Sequence, residues 1–548
     1  MISGAVLPIY RLYFTMKKQT FKKGLLITVF SLVILVLSIN TIVSFIIKNK
    51  INKAENVTVD DVSSNIFSGT INLHDLEISD LMIDSNQVLN GSVKEVQVNH
   101  IKIFQYLSDK TLATGLIEIN ESQLKLASTS DSLLINKFLS KSKTSNALSG
   151  VIESIVVRQS ALVYDRDSGK VLNVWINNIN TGELRFPIDK NSDHPITTSL
   201  SFQTDSIVYV DSVSMYTFSI YNLVSDKESK QISLELLDIH PHHNKNTFAR
   251  RAKFQTDRFE GQVRNIIYNY KSADSLLTGK TIKGNISCDT LHLIAYRDKT
   301  IPRKEHDIKH TVQKYLSMLK FELDLDSMTI QHAEITYQEK SEQSGLEGEI
   351  NFGSVNTTLT HITNVRKTDT LVLKASSTFM NTAKVIVDIQ IPLSQNYFDC
   401  KGSITGLPFK NLNKITGSAA GIIFSRGNMK KIAFNMRADV DSSRGDLILE
   451  YDDLDFAVQN KPGGDTTGIK SKIITFIAGD IFLPTSIPGE GKVLKAGVIS
   501  NPKNEERFMF NYIWKSIFSG LKSAVRENMQ GQNTKKSKKE KSNFFKLF

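Results

Sequence analysis

The sequence predicts a mostly-β fold, with one N-terminal transmembrane helix ahead of an extended, bent antiparallel sheet and one amphipathic helix behind it. Three observations predict this. An uncharged run of 24 residues extends from Gly24 to Ile47, apolar and polar residues alternate with period two through most of the chain beyond Lys48, and a helical apolar stripe lies between Arg507 and Met529.

The run from Gly24 to Ile47 is interrupted only by Thr28, Ser31, Ser38, Asn40, Thr41 and Ser44. As a helix it is about 36 Å long, against a hydrocarbon core of about 30 Å. It is longer than the core of a cleavable signal peptide, and Ser44-Phe45-Ile46-Ile47-Lys48 offers no small-x-small cleavage site. Arg11, Lys17, Lys18, Lys22 and Lys23 precede it, and Lys48, Lys50 and Lys53 follow it. That bias predicts a cytoplasmic tail over 1–23, a retained single-pass anchor over 24–47, and the bulk of the chain on the far side of the membrane.

From 48 to 500 the predicted elements are short strands separated by Gly, Asn, Asp and Ser turns, as in Ser92–Val98, Ser206–Val210 and Lys384–Ile389. Helical periodicity is confined to Leu133–Leu139, Glu305–Leu319 and Arg507–Met529. One pattern recurs. Ser154-Ile155-Val156-Val157-Arg158-Gln159-Ser160-Ala161-Leu162-Val163-Tyr164 can be laid on Ser327-Met328-Thr329-Ile330-Gln331-His332-Ala333-Glu334-Ile335-Thr336-Tyr337. Ile117–Leu126 repeats it, and Ile71-x-Leu73 with Leu76-x-Ile78 keeps its break. In a regular strand a three-residue step turns the second half to the opposite face. One extra residue restores the side and bends the strand, so both halves present apolar groups to one surface. The repeats therefore predict a curved sheet with one apolar and one polar face.

The region 460–500 is loop-rich, with Gly463, Gly464, Pro484, Pro488, Gly489 and Gly491. A helix within 501–531 comes next, with Phe510, Ile513, Trp514, Ile517, Phe518, Leu521, Ala524 and Val525 on one face. Lys515, Lys522 and Arg526 fall toward the other side, with Ser516, Ser519 and Ser523. The aromatic face, carried by Phe510, Trp514, Ile517, Phe518 and Leu521, fits two roles: lying in a membrane interface, or covering a sheet edge that would otherwise aggregate. Residues 532–548 are expected to be a disordered basic tail.

Net charge is +11, but it resides in the ends. The first 53 residues hold eight Lys/Arg and no acid, and the last 14 hold six Lys and one Glu. The near-neutral middle lacks the basic, aromatic-interleaved face of a nucleic-acid module. Only Cys288 and Cys400 are present, which excludes a disulfide scaffold and is read as two free, partly buried thiols.

No motif of catalysis or cofactor binding is complete. Thr278-Gly279-Lys280-Thr281 has Asp274 where a phosphate loop needs its first Gly, and His306 is followed by Asp307 where a zinc protease needs Glu. Asp439-Val440-Asp441-Ser442-Ser443 leads to Arg444 where a calcium loop turns on Gly, so a β-turn is expected. His240-Pro241-His242-His243 reads as a polar loop. The chain is expected to be non-enzymatic and to carry neither metal nor cofactor.

Several segments resemble the AsmA-like family of envelope proteins, and more distantly TamB- and YhdP-like chains. They are the anchor, then Asn65-Ile66-Phe67-Ser68-Gly69-Thr70-Ile71-Asn72-Leu73-His74-Asp75-Leu76-Glu77-Ile78, Val96–Ile103 and Leu112–Ile119. Arg437–Val440, Gly445–Leu449 and Tyr451–Leu454 are similar to that family's C-terminal strands. The resemblance implies a taco-like β-sheet with an apolar groove, anchored in the inner membrane and reaching across the periplasm. It also implies phospholipid acyl chains as partners and a part in outer-membrane assembly or lipid homeostasis, alongside other envelope proteins. The groove residues would be Ile155, Val157, Leu162, Tyr164, Met328, Ile330, Ile335 and Tyr337, acting through acyl-chain burial at about 0.8 kcal/mol per methylene. The second reading is a structural or assembly factor whose apolar sheet face is an ordinary closed core.

Overall fold

A computed structural model describes residues 38–84, 86–102, 112–128, 150–166, 169–186, 200–226, 228–271, 281–304, 306, 308–459 and 483–529. Most of the expected anchor (24–37), the helix expected at Leu133–Leu139, Thr278–Lys280, Glu305 and Asp307 of the histidine pair, the stretch 460–482 and the basic tail lie outside the described residues. No helix among the described residues is long and apolar enough to cross a membrane. The chain divides into two compact units, residues 1–204 and 205–548.

The first unit opens with helix α1, residues 38–52. Its strands are β1 (Val57–Asn65), β2 (Thr70–Asp84), β3 (Gln87–Asn99), β4 (Leu112–Ser128), β5 (Gly150–Arg166), β6 (Lys170–Thr181) and β7 (Leu184–Phe186). Strands β1 to β4 pair antiparallel in chain order. The pairing of β4 with β5 is parallel, and both β6 and β7 pair antiparallel with β5. Strand β8 (Leu200–Asp211) carries the chain into the second unit.

The second unit continues with β9 (Tyr216–Asp226), β10 (Gln231–Pro241), helix α2 (Lys245–Ala252), β11 (Arg258–Tyr270) and β12 (Thr281–Asp298). After helix α3 (Val312–Ser317) come β13 (Glu322–Lys340), β14 (Glu347–Thr363), β15 (Thr370–Phe379), β16 (Ala383–Pro392) and β17 (Phe398–Pro408). Helix α4 (Asn413–Ala420), β18 (Ile422–Ala438), β19 (Ser442–Val458), β20 (Gly497–Pro502) and helix α5 (Met509–Met529) complete it. Each strand from β9 to β20 pairs with the next, antiparallel except for the parallel β12–β13 step. The expected antiparallel sheet is thus mixed. A parallel neighbour needs a crossover longer than a hairpin, and period-two patterning, which gives only the faces, leaves strand direction open.

Left-handed backbone falls where the repeat breaks step. Asp75, Glu121 and Gln159 take positive φ of 52°, 51° and 48° inside β2, β4 and β5. Strands β3 and β6 carry the same three-residue step, Val93 to Val96 and Ile176 to Ile179, so the β2–β3, β3–β4 and β5–β6 registers run through without an offset at this level. In the second unit the step is offset between neighbours: the β13–β14 register shifts between Ile330 and Ala333, and Ser354 of β14 has φ 47°.

Helices cover both outermost strands. A strand edge exposes unpaired N–H and C=O groups that invite another chain. Along α1 the polar residues Asn40, Ser44, Lys48 and Asn52 recur every fourth position and form one row. Asn52 accepts from the Val59 N–H at 2.7 Å and donates to the Val59 carbonyl at 3.2 Å. Lys48 donates to the Asp60 carbonyl. Ser44 and Ser64 share a hydroxyl contact of 2.9 Å, and Asn40 accepts from the Ile66 N–H at 3.1 Å.

At the other terminus α5 lies on β20. Ser523 accepts from the Val498 N–H at 2.9 Å and Ser519 from the Ser500 N–H at 3.0 Å, while Asn528 exchanges two bonds with the Lys495 backbone. Ser516 is fully buried against Ser443 at 2.7 Å. These serines, placed by the helical pattern on the polar side, face the sheet, because an edge strand needs acceptors that an apolar face cannot supply. Gly497 permits the approach: a Cβ there would lie 2.2 Å from the Ala524 nitrogen.

The buried apolar cluster of the described residues belongs to the second unit. It spans β13 to β20 and α5, with Leu407, Leu447, Ile487 and Ile499 fully enclosed. Cys288 and Cys400 are buried and unpaired. The Asp439 segment is a turn between β18 and β19, its carboxylate accepting from the N–H groups of Asp441 and Ser442 at 2.9 and 2.8 Å.

Candidate functional site

Residues in register across neighbouring strands share a face, so the pairings of the first unit assemble the predicted groove residues into rows. Val157 stands beside Ile119 and Ile179, and the row continues through Val96 and Leu73 to Val62. Ile155 joins Ile117, Val98 and Ile71. Beyond the bend, Leu162 joins Leu124 and Val174, and Tyr164 joins Leu126 and Leu172. Small residues occupy the crease itself, where the Ser122 N–H donates to the Ser160 hydroxyl at 3.1 Å. Gly91 opposes Leu124 with φ 140°, and a Cβ there would lie 2.1 Å from the Gln123 carbonyl oxygen.

The other face is polar. Asn72, Gln97, Glu118 and Asn180 align with Val156, and Asn90, Lys125 and Asn173 align with Val163. Across its crease Lys94 pairs with Glu121 at 2.8 Å and Arg158 with Glu118 at 2.7 Å. An open polar hollow of about 470 Å³ is lined there by Asp75, Glu77, Lys94, Glu121 and Gln159. The Lys94 ammonium holds its proton above its ordinary range through its bond to Glu121.

The predicted groove residues are buried to similar degrees in the two units. On the apolar face of the first unit Tyr164 is buried, while Ile155, Val157 and Leu162 are half-buried. In the second unit Met328, Ile330, Ile335 and Tyr337 are all half-buried, and Met328 packs against the clustered core. Ile330 lies beside Cys288, and Ile335 between Leu293 and Phe352. Tyr337 ends its row in polar company: its hydroxyl donates to Glu339 at 3.0 Å, and Glu339 receives Lys299 at 2.7 Å. Burial and then the Glu339 charge push the Tyr337 hydroxyl well above the usual phenol range. Burial raises the Cys288 thiol and pushes Cys400 up to about 12, so both are poor nucleophiles.

The expected interfacial residues of α5 divide. Ile517 is buried, Trp514, Phe518 and Leu521 are half-buried, and Phe510 stays 65% exposed. Leu521 packs against the core, and the rings of Trp514 and Phe518 meet in a tilted contact at 5.6 Å. Among the described residues no three His, Cys, Asp or Glu side chains gather as metal ligands do, and His242 bonds to Thr217 at 2.9 Å.

Sequence reasoning did not reach the contributions of β3 and β6, although Val93-x-x-Val96 and Ile176-x-x-Ile179 carry the same step. Nor did it reach the polar row of α1, whose signal is a four-residue spacing inside an apolar run. Comparison with protein-family models gives no match, and none of the curated proteins matches the chain in sequence.

Proposed function

We propose that this protein is a non-catalytic, single-pass envelope protein that binds or transfers phospholipid along an apolar β-groove, in the manner of the AsmA-like family. In this reading 24–47 crosses the inner membrane, the N-terminus is cytoplasmic, and both units stand in the periplasm, where they serve outer-membrane assembly or lipid homeostasis with other envelope proteins.

The observation that carries the proposal is the set of in-register apolar rows across β1 to β6, largely half-buried and interrupted at one level by the left-handed residues Asp75, Glu121 and Gln159. The centre of a closed core drives such residues to full burial, as at Leu407, Leu447, Ile487 and Ile499. A face that receives acyl chains keeps them accessible, and each methylene that settles on it is stabilised by about 0.8 kcal/mol. The uncharged run ahead of α1 supports the anchor. The resemblance segments coincide with β1 to β4 and with β18 and β19. The clustered core of β13 to β20 favours the second reading, a structural or assembly factor, for that part of the chain.

Site-specific photocrosslinking in membranes tests the proposal with the full chain, since truncation after residue 50 would remove the cover of β1. A benzophenone side chain at Leu162, on the apolar face, is expected to give phospholipid adducts by mass spectrometry. The same group at exposed Lys125, on the polar face, is expected to give none, and Leu124→Asp should abolish the Leu162 adducts. Absence of lipid adducts at Leu162 in folded protein would return the chain to the structural reading.

A further inference from the structure

We propose that the β1–β2 hairpin tip is itself a membrane-contacting element, seated in the interfacial layer of the bilayer by its fixed position against α1. The proposal rests on the reading of 24–47 as a membrane span and adds where the sheet begins relative to the lipid. Helix α1 and β1 run antiparallel, tied at three levels: Asn52 to Val59, Lys48 to Asp60, and Asn40 to Ile66. The strand therefore descends alongside the helix as far as Asn40. That residue precedes Ile47 by seven positions, or about 10 Å of helix, which matches the 5–10 Å depth typical of interfacial side chains.

Three further observations fit a lipid occupant. The face of α1 turned away from β1 is apolar and exposed, with Phe45 at 64%, Ile42 at 56% and Ile46 at 48%, and in the sequence the uncharged residues 24–37 precede it. The hairpin tip is uncharged from Val62 to Leu73 and carries Phe67, 70% exposed, at its turn. Charge returns at one level, with Asp60 and Asp61 beside Lys48, and Lys50 and Lys53 lie exposed beyond, where their ammonium groups can reach lipid phosphates. The next strand ends bring back Lys102, ion-paired with Glu153 at 2.8 Å, so among the described residues the uncharged tip is confined to α1 and this hairpin.

The test uses the full chain in phosphatidylglycerol-containing phospholipid vesicles, labelled with an environment-sensitive fluorophore through Ser68→Cys or, as an aqueous reference, Val213→Cys. Unlabelled native chain corrects for the buried Cys288 and Cys400. The proposal expects the Ser68→Cys label to be quenched by phospholipid bearing a shallow acyl spin label and reduced by aqueous dithionite several-fold more slowly than the Val213→Cys label. Adding Phe67→Asp should bring the two rates together. A chain that resists carbonate extraction while its Ser68→Cys label is as open to dithionite as the reference overturns the proposal and leaves the anchor standing. A label shielded without lipid quenching, with crosslinks between copies at Phe67, overturns it in favour of a second copy as the cover. Release of the chain by carbonate overturns the span and the proposal together.

Discussion

Lys522 illustrates how a single side chain reports the surroundings of α5. Burial, reinforced by Lys515 and Arg526, pulls its ammonium down to about 8, whereas in the unfolded chain it keeps its proton to about 10.4. Between those values the unfolded state binds more protons, so stability rises with pH there, and below about 8 the cost of the buried charge is fully present. Lys522→Met removes that dependence. The melting temperature of the variant minus that of the native chain should be greatest near pH 7 and fall steadily toward pH 10. A difference that stays constant over this range would show that Lys522 is solvated in the native state. At the same scale, Asp75, Glu121 and Gln159 hold backbone conformations that L-residues adopt at a cost of about 1–2 kcal/mol. They sit where three of the four repeat copies break step, so the place of each left-handed residue was readable from residue spacing alone.

At the scale of elements, the two terminal helices do the same work with different chemistry. Asn40, Ser44, Lys48 and Asn52 meet the outer edge of β1, and Ser519, Ser523 and Asn528 meet the outer edge of β20. Replacing Ser519 and Ser523 together by Ala leaves the N–H groups of Val498 and Ser500 without those acceptors. At about 1 kcal/mol for each partly solvated group, the denaturation midpoint should drop by the equivalent of about 2 kcal/mol. Self-association should rise as the β20 edge opens. An unchanged midpoint in urea titration, with no gain in sedimenting oligomer, would show that α5 holds to the sheet by its apolar contacts alone. The sequence displayed the helix and its two faces. It did not display that Ser516, Ser519 and Ser523 meet the sheet as well as the apolar face, because a serine on a helix reads as solvent-facing until an unpaired strand edge is set against it.

For the whole molecule, the two units differ in how they keep apolar residues from water. The second gathers Leu407, Leu447, Ile487, Ile499 and their neighbours into one enclosed cluster, and the first spreads its apolar rows over a face that stays half-buried. Opening free energies track such differences in packing. In hydrogen exchange of the full chain, amides of β16 to β19 should therefore be the slowest, and those of β3 to β6 markedly faster. Phospholipid vesicles should slow β3 to β6 and leave β16 to β19 unchanged. Equal protection in both sets without lipid, or no response to lipid, would argue that the first unit is closed like the second.

By itself the sequence determined the β class, the C-terminal helix, and the positions at which the repeated strands break step. Each of these is local: alternation, helical spacing and a three-residue step are properties of a few consecutive residues, and a one-residue slip would reverse every side chain in a strand. The tertiary structure decided what depends on partners distant in the chain. The β4–β5 and β12–β13 pairs are parallel, the chain divides near Thr204, Met328 packs against a core while Ile155 and Leu162 do not, and polar residues of both terminal helices turn inward. Strand direction, closure of a core and the satisfaction of an edge are set by what lies opposite, and no window of consecutive residues contains that information.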